Sequence, residues 1–248
     1  MDVPLLLHGI GTVAEKNVRI YYNKPPVIIF GLLFPLFLFL AFFIGRNLPL
    51  GTFYPGFIAM TLFFTSSSVG PLITPWEKRD KTYERLLSYP LVLESILLGD
   101  IVAGVIFGLA ITFVVWGVSA VVIFPAVATA GFLIVAFLLG TITFAALGTL
   151  MASPASDAPS NIMMLASLLR FPLIFISGIF IPLAEIPGWG KVLAYLSPLT
   201  YLVDLFHAGL DGNEALNPFL DIVVLVGFTL AFVLLARAIQ KRNLVKGL

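Results

Sequence analysis

The sequence predicts an all-α polytopic membrane protein with six transmembrane helices, and three observations carry that prediction. Of 248 residues, 60% are hydrophobic and 11% are charged, with a mean hydropathy of +1.07. Soluble domains carry about 25% charged residues, so this much apolar side chain has no place in an ordinary water-soluble globule. The apolar residues are gathered into runs near the roughly 20 residues that cross a bilayer as helix. The charges are gathered too. Of 14 Lys and Arg plus 13 Asp and Glu, the stretch Trp76 to Ser95 holds Glu77, Lys78, Arg79, Asp80, Lys81, Glu84, Arg85 and Glu94. A charged, helix-prone island between two apolar runs must lie in water, where it can meet a soluble partner.

Composition also excludes several classes. The net charge of +1 provides no basic field for nucleic acid. With no cysteine there are no disulfides, thiolate metal sites or cysteine nucleophiles. His8 and His207 are too few and too isolated to suggest a metal centre.

The chain reads as one domain over residues 1–248. Residues 5–23 form an amphipathic helix. Leu6, Ile10, Val13, Ala14, Val18, Ile20 and Tyr21 share one face, His8, Thr12, Glu15, Lys16, Arg19 and Asn23 the other, and only Asn17 intrudes on the apolar side. Pro25-Pro26 ends this helix. A basic amphipathic helix abutting a span lies in the interface plane, in contact with lipid. The run from Val27 to Gly45 lacks a small-x-small cleavage pattern and reads as a span that stays in place.

The second span covers residues 54–75. Thr61, Thr65, Ser66, Ser67 and Ser68 lie inside it, and Pro71 kinks it. Two readings of these hydroxyls stand open: close helix packing, which is the simpler, or a polar face lining a pathway, in which case Thr65 and Ser68 are candidates. Spans at 101–123 and 128–151 follow, joined by a tight Phe124-Pro125-Ala126 turn. Gly104 and Gly108 form a GxxxG suited to close helix approach. After a polar loop at 152–161 comes a fifth span at 162–182.

Two short apolar stretches, 188–196 and 199–209, are separated by Ser197-Pro198. Each is about 14–17 Å long as helix, too short to cross, and together they predict a re-entrant or interfacial hairpin. Ser197 is placed to cap the second helix, with Pro198 at its first position. The sixth span covers 218–238 and leads into the basic tail Gln240-Lys241-Arg242-Asn243.

Orientation follows from Lys and Arg. With six spans, Lys16, Arg19, Lys24, Lys78, Arg79, Lys81, Arg85, Arg237, Lys241, Arg242 and Lys246 fall on one side, against Arg46 and Lys191 on the other. Both termini and the charged island are therefore expected in the cytoplasm of a plasma-membrane protein. Arg170 is left over within the fifth span, about 13 Å along the helix from Asn161. It either snorkels to the headgroups, the simpler reading, or touches a transported solute or a gate, with Ser177 and Gly178 nearby as further candidates.

No GxxxxGK[ST] loop occurs, so the chain is not expected to hydrolyse ATP. No nucleophile and base have a shared context, so an enzyme is disfavoured. No row of intramembrane carboxylates suggests a proton-driven carrier.

Lys81-Thr82-Tyr83-Glu84-Arg85-Leu86-Leu87-Ser88-Tyr89-Pro90 is similar to the GT-x-E-x-L-x-x-x-P segment of type 2 ABC exporter permeases. Ser177 to Pro182, Ile186-Pro187 with Trp189, Ser197-Pro198-Leu199-Thr200-Tyr201 and Asp204 resemble that family's signature before its last span. Drug-resistance, polysaccharide and lipo-oligosaccharide exporters share the pattern. Lys81 stands where many members have glycine, Ser197 where asparagine is frequent, His207 where arginine is frequent, and Asp100 where a basic residue is common.

The resemblance implies a membrane subunit that moves a hydrophobic, amphipathic or lipid-linked solute out of the cytoplasm. It implies a dimer, with a second copy or a paralogue, and separate soluble ATPase subunits that carry ATP and Mg²⁺; no cofactor is expected on this chain. It also makes the loop after span two the ATPase-docking helix. Glu77, Lys78, Lys81, Tyr83, Glu84, Leu86 and Leu87 are the docking candidates, with Glu77 and Lys81 as an i,i+4 pair, Tyr83 and the leucines as an apolar anchor, and Pro90 as the stop. Pro182, Pro187, Trp189, Ser197, Pro198, Tyr201 and Asp204 form the outer hairpin. The alternative is a passive channel or assembly scaffold that needs no ATPase.

Overall fold

Helices are the one means by which an open chain satisfies its backbone inside lipid, and among the described residues no strand occurs. The computed structural model describes residues 3–21, 29, 33–43, 50–89, 92–125, 127–154, 156 and 158–245. Among the described residues ten helices follow in order: α1 Val3–Tyr21, α2 Phe34–Phe43, α3 Leu50–Arg79, α4 Thr82–Ser88, α5 Leu93–Ile123, α6 Ala130–Ala152, α7 Pro159–Ile176, α8 Gly188–Tyr195, α9 Pro198–Leu210 and α10 Pro218–Val245. Of these, α3, α5, α6, α7 and α10 are long and apolar enough to cross a membrane. The predicted first span, 27–45, is described only at residue 29 and from 33 onward to 43, which includes α2.

The bundle is built around α3. Its Tyr54, Ile58, Met60, Leu62 and Phe63 are enclosed, together with Phe144 of α6 and Leu199 and Phe206 of α9. Phe63 and Phe144 meet edge to face with centroids 4.8 Å apart, an arrangement suited to the ring quadrupoles. Backbones approach most closely where Gly70 faces Gly148: a Cβ on Gly70 would overlap the Gly148 carbonyl. On α5, Gly104 and Gly108 sit against Ser66, so the GxxxG serves packing inside this chain.

The hydroxyls of α3 serve packing as well. Thr61, Thr65, Ser67 and Ser68 each donate to the carbonyl four residues back, of Phe57, Thr61, Phe63 and Phe64. They are buried.

Several boundaries move. The second span extends through Arg79, because Trp76, Glu77 and Lys78 continue the same helix. α5 begins at Leu93, well before the expected residue 101. Glu94 lies in its first turn, where a carboxylate meets the positive end of the helix dipole. α7 starts earlier, at Pro159, and stops at Ile176; Gly178 then takes a φ of 87° that turns the chain. α10 continues to Val245, and its Asn243 donates to the Ser153 carbonyl at 2.9 Å, which ties the basic tail to the loop after α6.

α1 packs on α5, but its buried line is not the whole predicted apolar face. Val13, Ala14 and Asn17 are buried, whereas Ile20 of that face is exposed. The residue that broke the apolar pattern is the one turned inward.

Candidate functional site

Three groups of polar residues are distributed along α3. At its charged end, α1, α3, α4 and α5 meet. Lys16 Nζ of α1 lies 2.5 Å from Glu77 Oε1, whose side chain is 4% exposed. One turn deeper, Asn17 Nδ2 donates to Asp100 Oδ1 at 2.7 Å, and Thr74 Oγ1 donates to Asp100 Oδ2 at 3.3 Å. Burial rules out isolated charges here, so the two carboxylates draw donors from α1 and α3.

The docking candidates divide on this geometry. Glu77 faces inward to Lys16 rather than pairing with Lys81. The expected i,i+4 pair fails because the helix breaks between them: Lys81 adopts φ 56°, the left-handed region. That conformation suits glycine and strains a residue bearing Cβ, which explains why glycine is at home at this point of the pattern.

Tyr83 is also turned inward, in a cluster with Val13 and Ile96 against which Leu86 packs. It is a strut within the bundle, not an exposed anchor. Burial, with Asp100 and Glu77 close by, pushes its phenol well above the usual range. Lys78 reaches the Pro154 carbonyl at 3.3 Å. The exposed surface here comprises Arg79, Asp80, Lys81, Thr82, Arg85, Ser88 and Tyr89 among the described residues. The side chains of Glu84 and Leu87, and Pro90 entirely, lie outside the described residues.

Midway along α3, Pro71 has no N–H for the carbonyl four residues earlier, that of Ser67. The Arg170 guanidinium of α7 donates to that carbonyl. Arg170 therefore does not snorkel: it is 5% exposed and caps the carbonyl that Pro71 leaves without a helical donor. Its Nε has no partner, and a cavity of about 10 Å³ beside it is lined by Ser68, Pro71, Leu72, Met163, Ala166 and Ser167. Thr65 lies elsewhere, its hydroxyl 3.3 Å from that of Thr112.

At the hairpin end, Ser177, Gly178, Pro182, Thr200, Asp204 and His207 line a cavity of about 210 Å³ with the first turns of α3. The sequence placed some of these in a pathway and others in a hairpin; the fold joins them. Ser197 caps α9 by accepting from Leu199 N at 3.3 Å, as expected. Tyr201 donates to the Tyr195 carbonyl at 2.8 Å and so ties α9 to α8.

Asp204 accepts from the backbone N–H of Ala215 and Leu216, at 2.7 and 2.9 Å. Its burial pushes the carboxyl above its ordinary value, and those two donors partly oppose the rise. His207 pairs with Asp211 at 3.0 Å. Trp189 is 74% exposed, on a face with Val192 and Leu196, and Pro187 occupies the position before α8.

Sequence reasoning missed Asn17, Asp100 and Lys16 as a set. The signals were present singly: an amide on an apolar face, and an acid heading an apolar run.

The sequence has a counterpart among known families. Residues 8–210 match the ABC-2 type transporter family. The chain belongs to that family. A search of curated proteins returns no match. As an ABC-2 family member, the chain is the membrane-spanning permease component of an ABC transporter, not itself a catalyst. The matched region runs from α1 to the end of α9, so it takes in all three polar groups except the Asp204 donors Ala215 and Leu216.

Proposed function

We propose that this ABC-2 permease exports a hydrophobic, amphipathic or lipid-linked solute from the cytoplasm, powered by a separate ATP-binding-cassette subunit that docks at Glu77–Ser88. ATP and Mg²⁺ bind on that subunit. The permease works as a dimer, with itself or a paralogue, in the plasma membrane with both termini cytoplasmic, as the distribution of Lys and Arg supports.

The observation that carries this reading is the continuity of α3. One helix runs from Thr52 and Gly56, at the hairpin-end cavity, to Arg79 beside the docking loop. A displacement of α4 by a closing ATPase is transmitted along a single buried rod, and the packed bundle answers as a rigid-body movement. Lys16–Glu77 and Asn17–Asp100 bind α1 and α5 to the same end of that rod.

The test is purification of the full-length protein with its endogenous partners, followed by measurement of co-eluting ATPase subunit and ATP hydrolysis. The double variant Glu84→Lys with Leu87→Asp is expected to remain in the membrane and lose the ATPase. Undiminished recovery of that subunit would sink the docking role, and absence of any ATPase from the wild-type preparation would favour a passive channel or scaffold.

A further inference from the structure

A single backbone carbonyl needs one neutral donor, but α7 supplies it with a full positive charge. Arg170 carries five N–H donors; one bond goes to the Ser67 carbonyl, and Nε has no partner. Among the described residues no carboxylate lies within ion-pair distance of it. Buried charges are otherwise paired, as the Glu77 carboxylate of α3 is with Lys16. An arginine held inside a membrane bundle without a counter-ion is a functional group in want of an anion.

The surroundings fit one kind of anion. The adjoining cavity is lined by Ser68 and Ser167 together with Leu72, Met163 and Ala166. Its volume of about 10 Å³ holds roughly one water, so a larger group enters only as α7 parts from α3. Alternating access calls for movement of that kind, and Met164 and Leu168 on α7 are exposed. A planar guanidinium fork beside an apolar wall suits an oxyanion that bears an alkyl chain.

We propose that Arg170 recognises the carboxylate or phosphate group of an anionic amphipath at the α3–α7 contact. The proposal rests on the reading of this chain as an exporter of amphipathic solutes. It names the charge of those solutes.

The test needs no ATPase, so it stands apart from the docking experiment. The purified full-length chain, in an uncharged maltoside detergent, is titrated with dodecyl phosphate, with dodecyltrimethylammonium, and with inorganic phosphate, and its Tm is followed by intrinsic fluorescence. Dodecyl phosphate is expected to raise Tm saturably, and the cationic amphipath is not. Arg170→Gln keeps an N–H donor for the Ser67 carbonyl and removes the charge; the dodecyl phosphate concentration at half-effect is expected to rise tenfold or more. An equal response of wild type and R170Q overturns the proposal, as does equal stabilisation by the cationic amphipath. An Arg170-dependent rise with inorganic phosphate alone upholds the anion site and assigns it to free phosphate instead of a headgroup. If R170Q fails to fold, Arg170→Lys decides: it is expected to keep the preference for anion over cation with several-fold weaker binding, and loss of that preference overturns the assignment.

Discussion

Asn17 Nδ2 lies 2.7 Å from Asp100 Oδ1, with both residues buried where α1 crosses α5. The two are 83 residues apart in sequence. This contact turns an amphipathic helix into a fixed member of the bundle. Asn17→Leu removes one of the donors to a buried carboxylate, and leaving such a group short costs about 1–3 kcal/mol. The variant is expected to show a lower Tm. Combined with Asp100→Leu, the loss is expected to be smaller than the sum of the two single variants, which a double-mutant cycle reads directly.

The Lys16–Glu77 pair joins α1 to the end of α3 beside the docking loop. Lys16→Met leaves Glu77 buried and unpaired, and is expected to destabilise by about 1–3 kcal/mol. Because Glu77 is only 4% exposed, added salt should mask little of that loss. Reversal of both charges, Lys16→Glu with Glu77→Lys, is expected to recover part of the stability lost by either reversal alone. Failure of the pair to recover anything beyond the worse single variant would show that the two charges act independently.

Pro71 and Arg170 are linked through the Ser67 carbonyl. Pro71→Ala restores an N–H to that carbonyl. Arg170→Met is expected to cost about 1–3 kcal/mol in the wild-type background and clearly less in the Pro71→Ala background. Equal costs in both backgrounds would mean that capping the Ser67 carbonyl contributes nothing to stability. A role in anion binding is read separately, from the ligand-induced shift.

Lys81 holds a φ of 56° between α3 and α4. Lys81→Gly is expected to relieve about 1 kcal/mol of backbone strain and to raise Tm slightly. Lys81→Val, with a branched Cβ at the same position, is expected to lower it. The pair of measurements checks the left-handed turn without reference to any partner.

The Asp204 carboxyl lies above its ordinary value because of burial. The folded state therefore holds the proton more tightly than the unfolded chain. Its contribution to stability is complete at pH below the ordinary aspartate value near 3.8 and is lost as pH rises through the raised value. Across that window the Tm of the full-length chain is expected to fall as pH rises. In Asp204→Asn that fall should be smaller.

Much of the fold is legible in the sequence, and for one reason. Lipid offers no hydrogen bonds, so a segment that crosses it must be apolar and helical, and both properties are local. The runs that became α3, α5, α6, α7 and α10 announce themselves in this way. Local chemistry also specifies the Ser197 cap and the break before α9. Boundaries were less legible, since helices here continue past the apolar run into water, as α3 does through Glu77 and Lys78.

The sequence by itself determined a helical membrane protein of the ABC-2 kind, with a charged island after its second span and a capped hairpin before its last. Only the tertiary structure decided what the polar residues do. Lys16 finds Glu77 across 61 residues, Asn17 finds Asp100 across 83, and Arg170 finds Ser67 across 103. Tyr83 turns inward and Ser177 meets Asp204 around one cavity. The physical reason is that a helix's periodicity states which residues share a face, whereas the partner of a buried charge is chosen by how separate helices pack.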